Sequence, residues 1–220
     1  MKKLLTLFLG LTVAVGSFAQ TTEGVVKYTT EFKSSDPQIQ SQLAMLNGST
    51  MTTYFTPEFT RVESNMGMFM KTSTIIDLKS KQSLMLMDGM GSKKAIKTNL
   101  DELDKEDGEE AKVEVEKTSK TKKIAGYKCT QYILTTEDGT TMNYWTTTEL
   151  SGSKAGNKFM NEKVEGYPLE FELANNGVVM KFTATEVAKG IKEDKAKLFN
   201  MDIPEGFQEA SMDDLKNMGM

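Results

Sequence analysis

The chain has no histidine and one cysteine, Cys129, among 220 residues. Without imidazole there is no Ser-His or Cys-His nucleophile, no His-ligated zinc and no ordinary imidazole acid-base chemistry. A single thiol excludes an internal disulfide framework and any CxxC pair. Arginine is almost absent too, with Arg61 alone against an acidic balance of -4, which is the wrong footprint for nucleic acid. Apolar runs are short after the first 20 residues, so no later stretch approaches spanning length. With 38% hydrophobic and 26% charged residues, what remains is one soluble globular domain with a core of its own.

The N-terminal segment reads as an export signal. Lys2 and Lys3 precede the apolar stretch Leu4–Val15, and Ser17-Phe18-Ala19 supplies small residues at the positions before a cleavage site. Residues 1–19 are therefore expected to be removed after Ala19, leaving 20–220 as a single β-rich domain, periplasmic or secreted. No cysteine at the cleavage site offers lipid attachment, and no membrane span is expected in the mature chain. Loss of Lys2 and Lys3 leaves 25 basic against 31 acidic residues, a net charge of -6.

The mature chain reads as strands with turns between them. Turn dipeptides occur at Asn47-Gly48, Asp88-Gly89, Asp107-Gly108, Asp138-Gly139 and Asn176-Gly177. Around the last, Leu169, Phe171 and Leu173 alternate with Glu170 and Glu172, and Val178, Met180, Phe182 and Ala184 continue the period. The Asp138-Gly139 hairpin joins strands at Tyr127–Thr136 and Thr140–Thr147. Further strands are expected at Gly24–Phe32, Met51–Phe55, Phe59–Ser64, Met68–Leu78, Gln82–Met87, Lys93–Thr98 and Lys112–Thr118. One helix is punctuated by an Asp36 N-cap and Pro37, presents Ile39, Leu43 and Leu46 on one face, and ends at Asn47-Gly48. A second short helix is expected at Met212–Met218, and the acidic Asn99–Glu110 stretch as a solvated connection. The fold class is mainly β: one strongly curved antiparallel sheet, an open or half β-barrel, with one or two short helices.

Methionine is abundant, with 16 copies. Met66, Met68 and Met70 are spaced to share a strand face, as are Met85 and Met87. Such thioethers are pliable lining for an apolar cavity or core, and they are also ligands for Cu(I). The acidic Asn99–Glu110 run fails the EF-hand pattern and reads as a surface loop, so no metal site is assigned. Cys129 is expected to be buried and unreactive. Glu170 and Glu172 are expected to face water, opposite Phe171, where nothing prepares a catalytic acid. No catalytic residue and no cofactor is assigned, and the protein is expected not to be an enzyme.

The run Gly166-Tyr167-Pro168-Leu169-Glu170-Phe171-Glu172-Leu173, Asn176-Gly177, Val178–Val187, Leu198-Phe199 and Ile203-Pro204-Glu205-Gly206-Phe207 resembles the end of the lipoprotein-carrier-like (LolA and LolB) superfamily. Ile124-Ala125-Gly126-Tyr127-Lys128-Cys129 is similar to a segment of secreted bacterial proteins grouped as domains of unknown function. The resemblance implies an unclosed antiparallel barrel, helix-capped, with an apolar cavity for acyl chains. Arg61 takes no role from it. The expected function is then non-catalytic binding of a lipid or other apolar ligand. The expected lining is Met66, Met68, Met70, Met85, Met87, Phe171, Met180 and Phe182. The alternatives are an envelope protein-interaction or stress-sensing module with a filled core, and methionine-based Cu(I) binding.

Overall fold

The computed structural model describes residues 20–89, 91–101, 113–152, 163–212 and 214. The expected export signal, Asp107-Gly108 and most of the acidic run lie outside them, as does the helix expected at Met212–Met218 apart from Met212 and Asp214, which are helical.

Among the described residues twelve strands form one sheet. In chain order they are β1 (Gly24–Ser34), β2 (Thr50–Phe55), β3 (Phe59–Asn65), β4 (Met70–Asp77), β5 (Gln82–Gly89), β6 (Ser92–Asn99), β7 (Val113–Ile124), β8 (Tyr127–Thr136), β9 (Thr141–Thr147), β10 (Tyr167–Asn175), β11 (Val178–Lys189) and β12 (Gln208–Glu209). The order across the sheet is β12-β6-β5-β4-β3-β2-β1-β11-β10-β9-β8-β7, antiparallel throughout except where β12 runs parallel to β6. The pairs β2–β3, β3–β4, β4–β5, β5–β6, β7–β8, β8–β9 and β10–β11 are joined by short hairpins, as period-two segments between turn residues should be. Asn176 and Gly177 both have positive φ, 49° and 75°, the geometry of a two-residue hairpin turn.

Helix α1 (Pro37–Leu43) continues as a 3-10 turn, Ala44–Leu46. The Asp36 carboxylate accepts from the Gln38 and Ile39 amides at 2.8 and 3.4 Å, and Ile39, Leu43 and Leu46 are the half-buried stripe. A one-turn helix, α2 (Lys195–Leu198), is capped by Asp194.

Two expectations are corrected. Asp88-Gly89 is not a turn: Gly89 ends β5, paired with Met70 and Ser92, and a Cβ there would sit 2.5 Å from the Phe69 carbonyl oxygen. Glycine marks a close backbone approach in this strand. The sheet is also neither closed nor strongly curled, with β7 and β12 as its free edges. Some bend is enforced by the covalent chain. Ten inter-strand steps, about 48 Å if flat, separate β6 from β7, and 13 residues must join opposite ends of these strands. Fully extended they reach about 48 Å, less than the flat diagonal.

Tighter curling is unnecessary because other parts of the chain cover the apolar surface. On one face Leu150 and Val164, from the β9–β10 connection, join the main core with Tyr28, Phe55, Tyr167 and Phe171. Gly152 lies against Tyr167, where a Cβ would run into the ring. On the other face Phe199 packs against Ile75, Leu84 and Ala95, with Leu198, Ile203 and Phe207 around them.

Candidate functional site

Directly paired residues and residues two apart share a sheet face. Phe171 pairs with Phe182 and Phe182 with Thr30; two residues earlier Tyr28 pairs with Met51, then Ser64, Thr72 and Met87 follow in register. Met180, Phe171, Phe182, Met70, Met85 and Met87 therefore lie on one face, but in two places. At the β10–β11 end, Phe171 stacks on Phe182 at 4.7 Å and meets Tyr28 edge-on at 5.9 Å and Tyr144 at 5.8 Å. Met180 packs against the same cluster. This half is closed by its own side chains.

The methionine half is separate. Met87 and Ile96 are its buried members, with Met70, Met85, Ala210 and Met212 partly buried around them. Met66 is half-buried in the β3–β4 turn, whereas Met68 in that turn is 98% exposed and lines nothing. Met212 was not among the residues singled out by spacing. It arrives because β12 pairs on the edge of β6 and the chain continues past Ala210, whose amide donates to the Ala95 carbonyl at 2.9 Å. Ser211 and Asp214 cap each other reciprocally, Ser211 N to Asp214 Oδ2 at 2.8 Å and Asp214 N to Ser211 Oγ at 3.2 Å.

The opposite face is polar where it is not covered. A hollow of about 460 Å³ lies over β2–β5, lined by Thr52, Arg61, Glu63, Lys71, Ser73 and Phe207 among others. Arg61 is pinned there, with Nε donating to Glu63 at 2.8 Å and Nη1 to the Leu198 carbonyl at 2.6 Å. The only arginine thus ties the C-terminal segment to the sheet, which suits the fixed fork of a guanidinium. None of the eight expected lining residues borders this hollow.

On this same face Glu170 corrects the expectation that it faces water. Its residue is 8% exposed, and its two oxygens meet Lys122 Nζ at 2.9 Å and Lys181 Nζ at 3.2 Å. Lys122 also stands 4.2 Å over the Trp145 ring. Glu172, half-buried, accepts from the amide and side chain of Asn143 at 2.9 and 2.8 Å. Both carboxylates are committed to holding neighbouring strands together.

Cys129 is fully buried. Desolvation pushes its thiol up to about 11, against a nearby lysine, Lys122, that pulls the other way. Two outcomes follow. A thiol reagent should leave Cys129 unmodified in the native protein at pH 8 and label it only after unfolding. Because the folded value is raised, the stability contributed by the protonated thiol is complete below about pH 9 and is lost as pH rises through about 11; denaturant titrations across that interval check the sign.

Among the described residues no group of three or more Cys, Asp or Glu side chains is placed to hold a metal ion, and no helix is long and apolar enough to cross a membrane.

A family model described as Domain of unknown function (DUF4412) matches residues 38–155, more than half of the chain. The chain belongs to the DUF4412 family. The DUF4412 match runs from α1 past the end of β9, so it includes the methionine strands β4 and β5 and the Cys129 strand β8. Among curated protein sequences none matches significantly. Among solved structures, PNGF-II is similar over 89% of this DUF4412 chain at 18% identity and a TM-score of 0.51. The chain spans 32% of PNGF-II. An uncharacterised conserved protein from Thermus thermophilus is similar at 11% identity and TM-score 0.51, over 87% of this chain and 91% of that one. These two likenesses show the fold. A LolA superfamily protein from Nitrosomonas europaea, NE2245, aligns over 80% of this chain and 90% of its own at 10% identity and TM-score 0.24.

Proposed function

We propose that this is an exported, non-catalytic protein that holds an apolar guest, a lipid or acyl chain, against the methionine wall of Met70, Met85 and Met87. The observation that carries the reading is the contrast along one sheet face. The Phe171–Phe182 half is sealed by stacked rings, while Met70 and Met85 are only partly buried and are backed by Met87 and Ile96. Thioether chains repack cheaply around guests of varied shape, and rigid aromatic stacks do not. The guest lies in the shallow bend between the sheet and the Ala210–Met212 segment rather than in a deep half-barrel. Burying ten methylenes contributes about 8 kcal/mol before ordering costs, a gross figure equivalent to roughly micromolar affinity. Export through residues 1–19, with cleavage after Ala19, places the protein in the periplasm or outside the cell, in contact with lipid.

Native mass spectrometry of protein recovered from the periplasm tests the proposal. A co-purifying lipid, and displacement of a fluorescent fatty acid that Met85→Asp weakens about tenfold or more, are the expected results. No adduct and no displacement would defeat it. In that case the filled Phe171 cluster favours the second reading, an envelope protein-interaction module, whose partner crosslinking in the envelope would reveal.

A further inference from the structure

One charged side chain stands on the methionine face. Register carries that face across β3 to β6 through Ser64, Thr72, Met87 and Lys94, and in the next row through Val62, Thr74, Met85 and Ile96. Every other Asp, Glu, Lys or Arg of these four strands, from Arg61 and Glu63 on β3 to Lys93 and Lys97 on β6, registers onto the opposite face. Lys94 is therefore the only ion these strands set beside the wall, directly across from Met87 and two residues from Ile96.

This lysine is also uncommitted. Three lysines among the described residues are half-buried, Lys94, Lys122 and Lys181. The last two share Glu170, whereas Lys94 makes no ion pair: its Nζ donates to the neutral Gln208 Oε1 at 2.9 Å, across the β12–β6 pairing and facing solvent. That bond fixes the Gln208 oxygen toward the lysine and leaves the Nε2 hydrogens without a protein acceptor. The acids around this edge do not fill the place. Glu209 pairs with Ala95 on the opposite face, and Asp88 is paired with Lys93 there at 3.1 Å. Asp214 feels the Lys94 charge from beyond ion-pair distance, and its Oδ2 already accepts from Ser211 N and Oγ, both at 2.8 Å.

Half-burial beside thioethers takes water from an ammonium, and a neutral amide returns only part of what is lost. Two adjacent donors, one of them charged, match the two oxygens and single charge of a carboxylate. The wall begins directly across from Lys94, so an anion held there lays an attached alkyl chain onto Met87 and Met85. Its charged end stays at the wet rim.

We infer that the guest of the methionine wall is a free fatty acid, its carboxylate held by Lys94 Nζ and Gln208 Nε2 and its chain lying over Met87 and Met85. This assignment rests on the wall reading above and adds the headgroup to it.

Isothermal titration of the lipid-stripped protein with two probes of equal chain length, dodecanoate and dodecanol, separates headgroup from wall. Dodecanoate should bind about five- to tenfold more tightly than dodecanol, with the difference shrinking as salt rises. Lys94→Met keeps the stem and deletes the charge. It should bring dodecanoate down to the dodecanol level while dodecanol binding, unchanged, shows that the variant is folded. Lys94→Arg should keep the preference, and Met85→Asp should weaken both probes. Equal binding of the two probes by the native protein, or a preference for dodecanoate that survives Lys94→Met, overturns the fatty-acid assignment and leaves the wall standing. Binding of neither probe removes the wall itself, and the assignment with it.

Discussion

Phe171→Ala is expected to destabilise the protein by about 4 kcal/mol, the largest loss from any single truncation in the aromatic cluster. The ring touches Phe182, Tyr28 and Tyr144 at once, and its residue is 2% exposed. Removal costs the transfer of the ring from water and opens a cavity between four strands, β9, β10, β11 and β1, that antiparallel pairing prevents from collapsing. Phe171→Leu keeps most of the volume and should cost about 1–1.5 kcal/mol. For a chain of this size the alanine variant should melt roughly 10 °C lower. Urea titration of both variants checks the ratio. If alanine and leucine cost the same, the pocket around residue 171 relaxes freely, and the claim that this half of the face is sealed fails with it.

Glu170→Ala is expected to cost about 3 kcal/mol for a different reason. The carboxylate sits between Lys122 and Lys181, whose side chains are 35% and 29% exposed, so deletion leaves two half-buried cations facing each other. Solvent reaches both lysines, which keeps the loss below that of a fully buried pair. Replacing all three charges with Lys122→Met, Glu170→Leu and Lys181→Met should recover most of the stability, since the desolvation penalty disappears with the charges. Trp145, the only tryptophan, lies under Lys122 and reports directly: its emission should shift in Glu170→Ala when the lysine leaves the ring. A triple variant as unstable as the single one would mean that Glu170 matters through packing and not through charge.

Much of this architecture is readable in the amino-acid order, because its signals are local. Period-two alternation around Asn176-Gly177 places β10 and β11, and Asp36-Pro37 places α1 with its half-buried stripe. Two-apart spacing correctly groups Met85 with Met87 on one face. What fails depends on partners distant in sequence. Alternation puts Glu170 opposite Phe171, as found, but cannot reveal that Lys122, 48 residues earlier, folds over it from the edge strand. The β12 strand is two residues long and pairs in parallel, too short for any period to register. The C-terminal cover has irregularly spaced anchors, Leu198, Phe199, Ile203 and Phe207, because it crosses the sheet as a single helical turn followed by irregular chain and not as one regular element. Asp88-Gly89 misleads because a glycine that permits close backbone approach is written the same way as one that permits a turn.

The same limits apply to the candidate site. Spacing grouped Phe171, Met180 and Phe182 with the methionines, and register does place six of the eight residues on one face. Spacing could not show that aromatic stacking closes one end of that face, nor that Met68 turns outward at a hairpin tip.

Photolabelling with a diazirine fatty acid, followed by peptide mapping, tests the methionine wall most directly. The account predicts adducts concentrated on peptides carrying Met70, Met85 and Met87, competed away by unlabelled fatty acid and lost in Met85→Asp. Labelling confined to the Phe171–Phe182 strands, or spread evenly along the chain without competition, would contradict it.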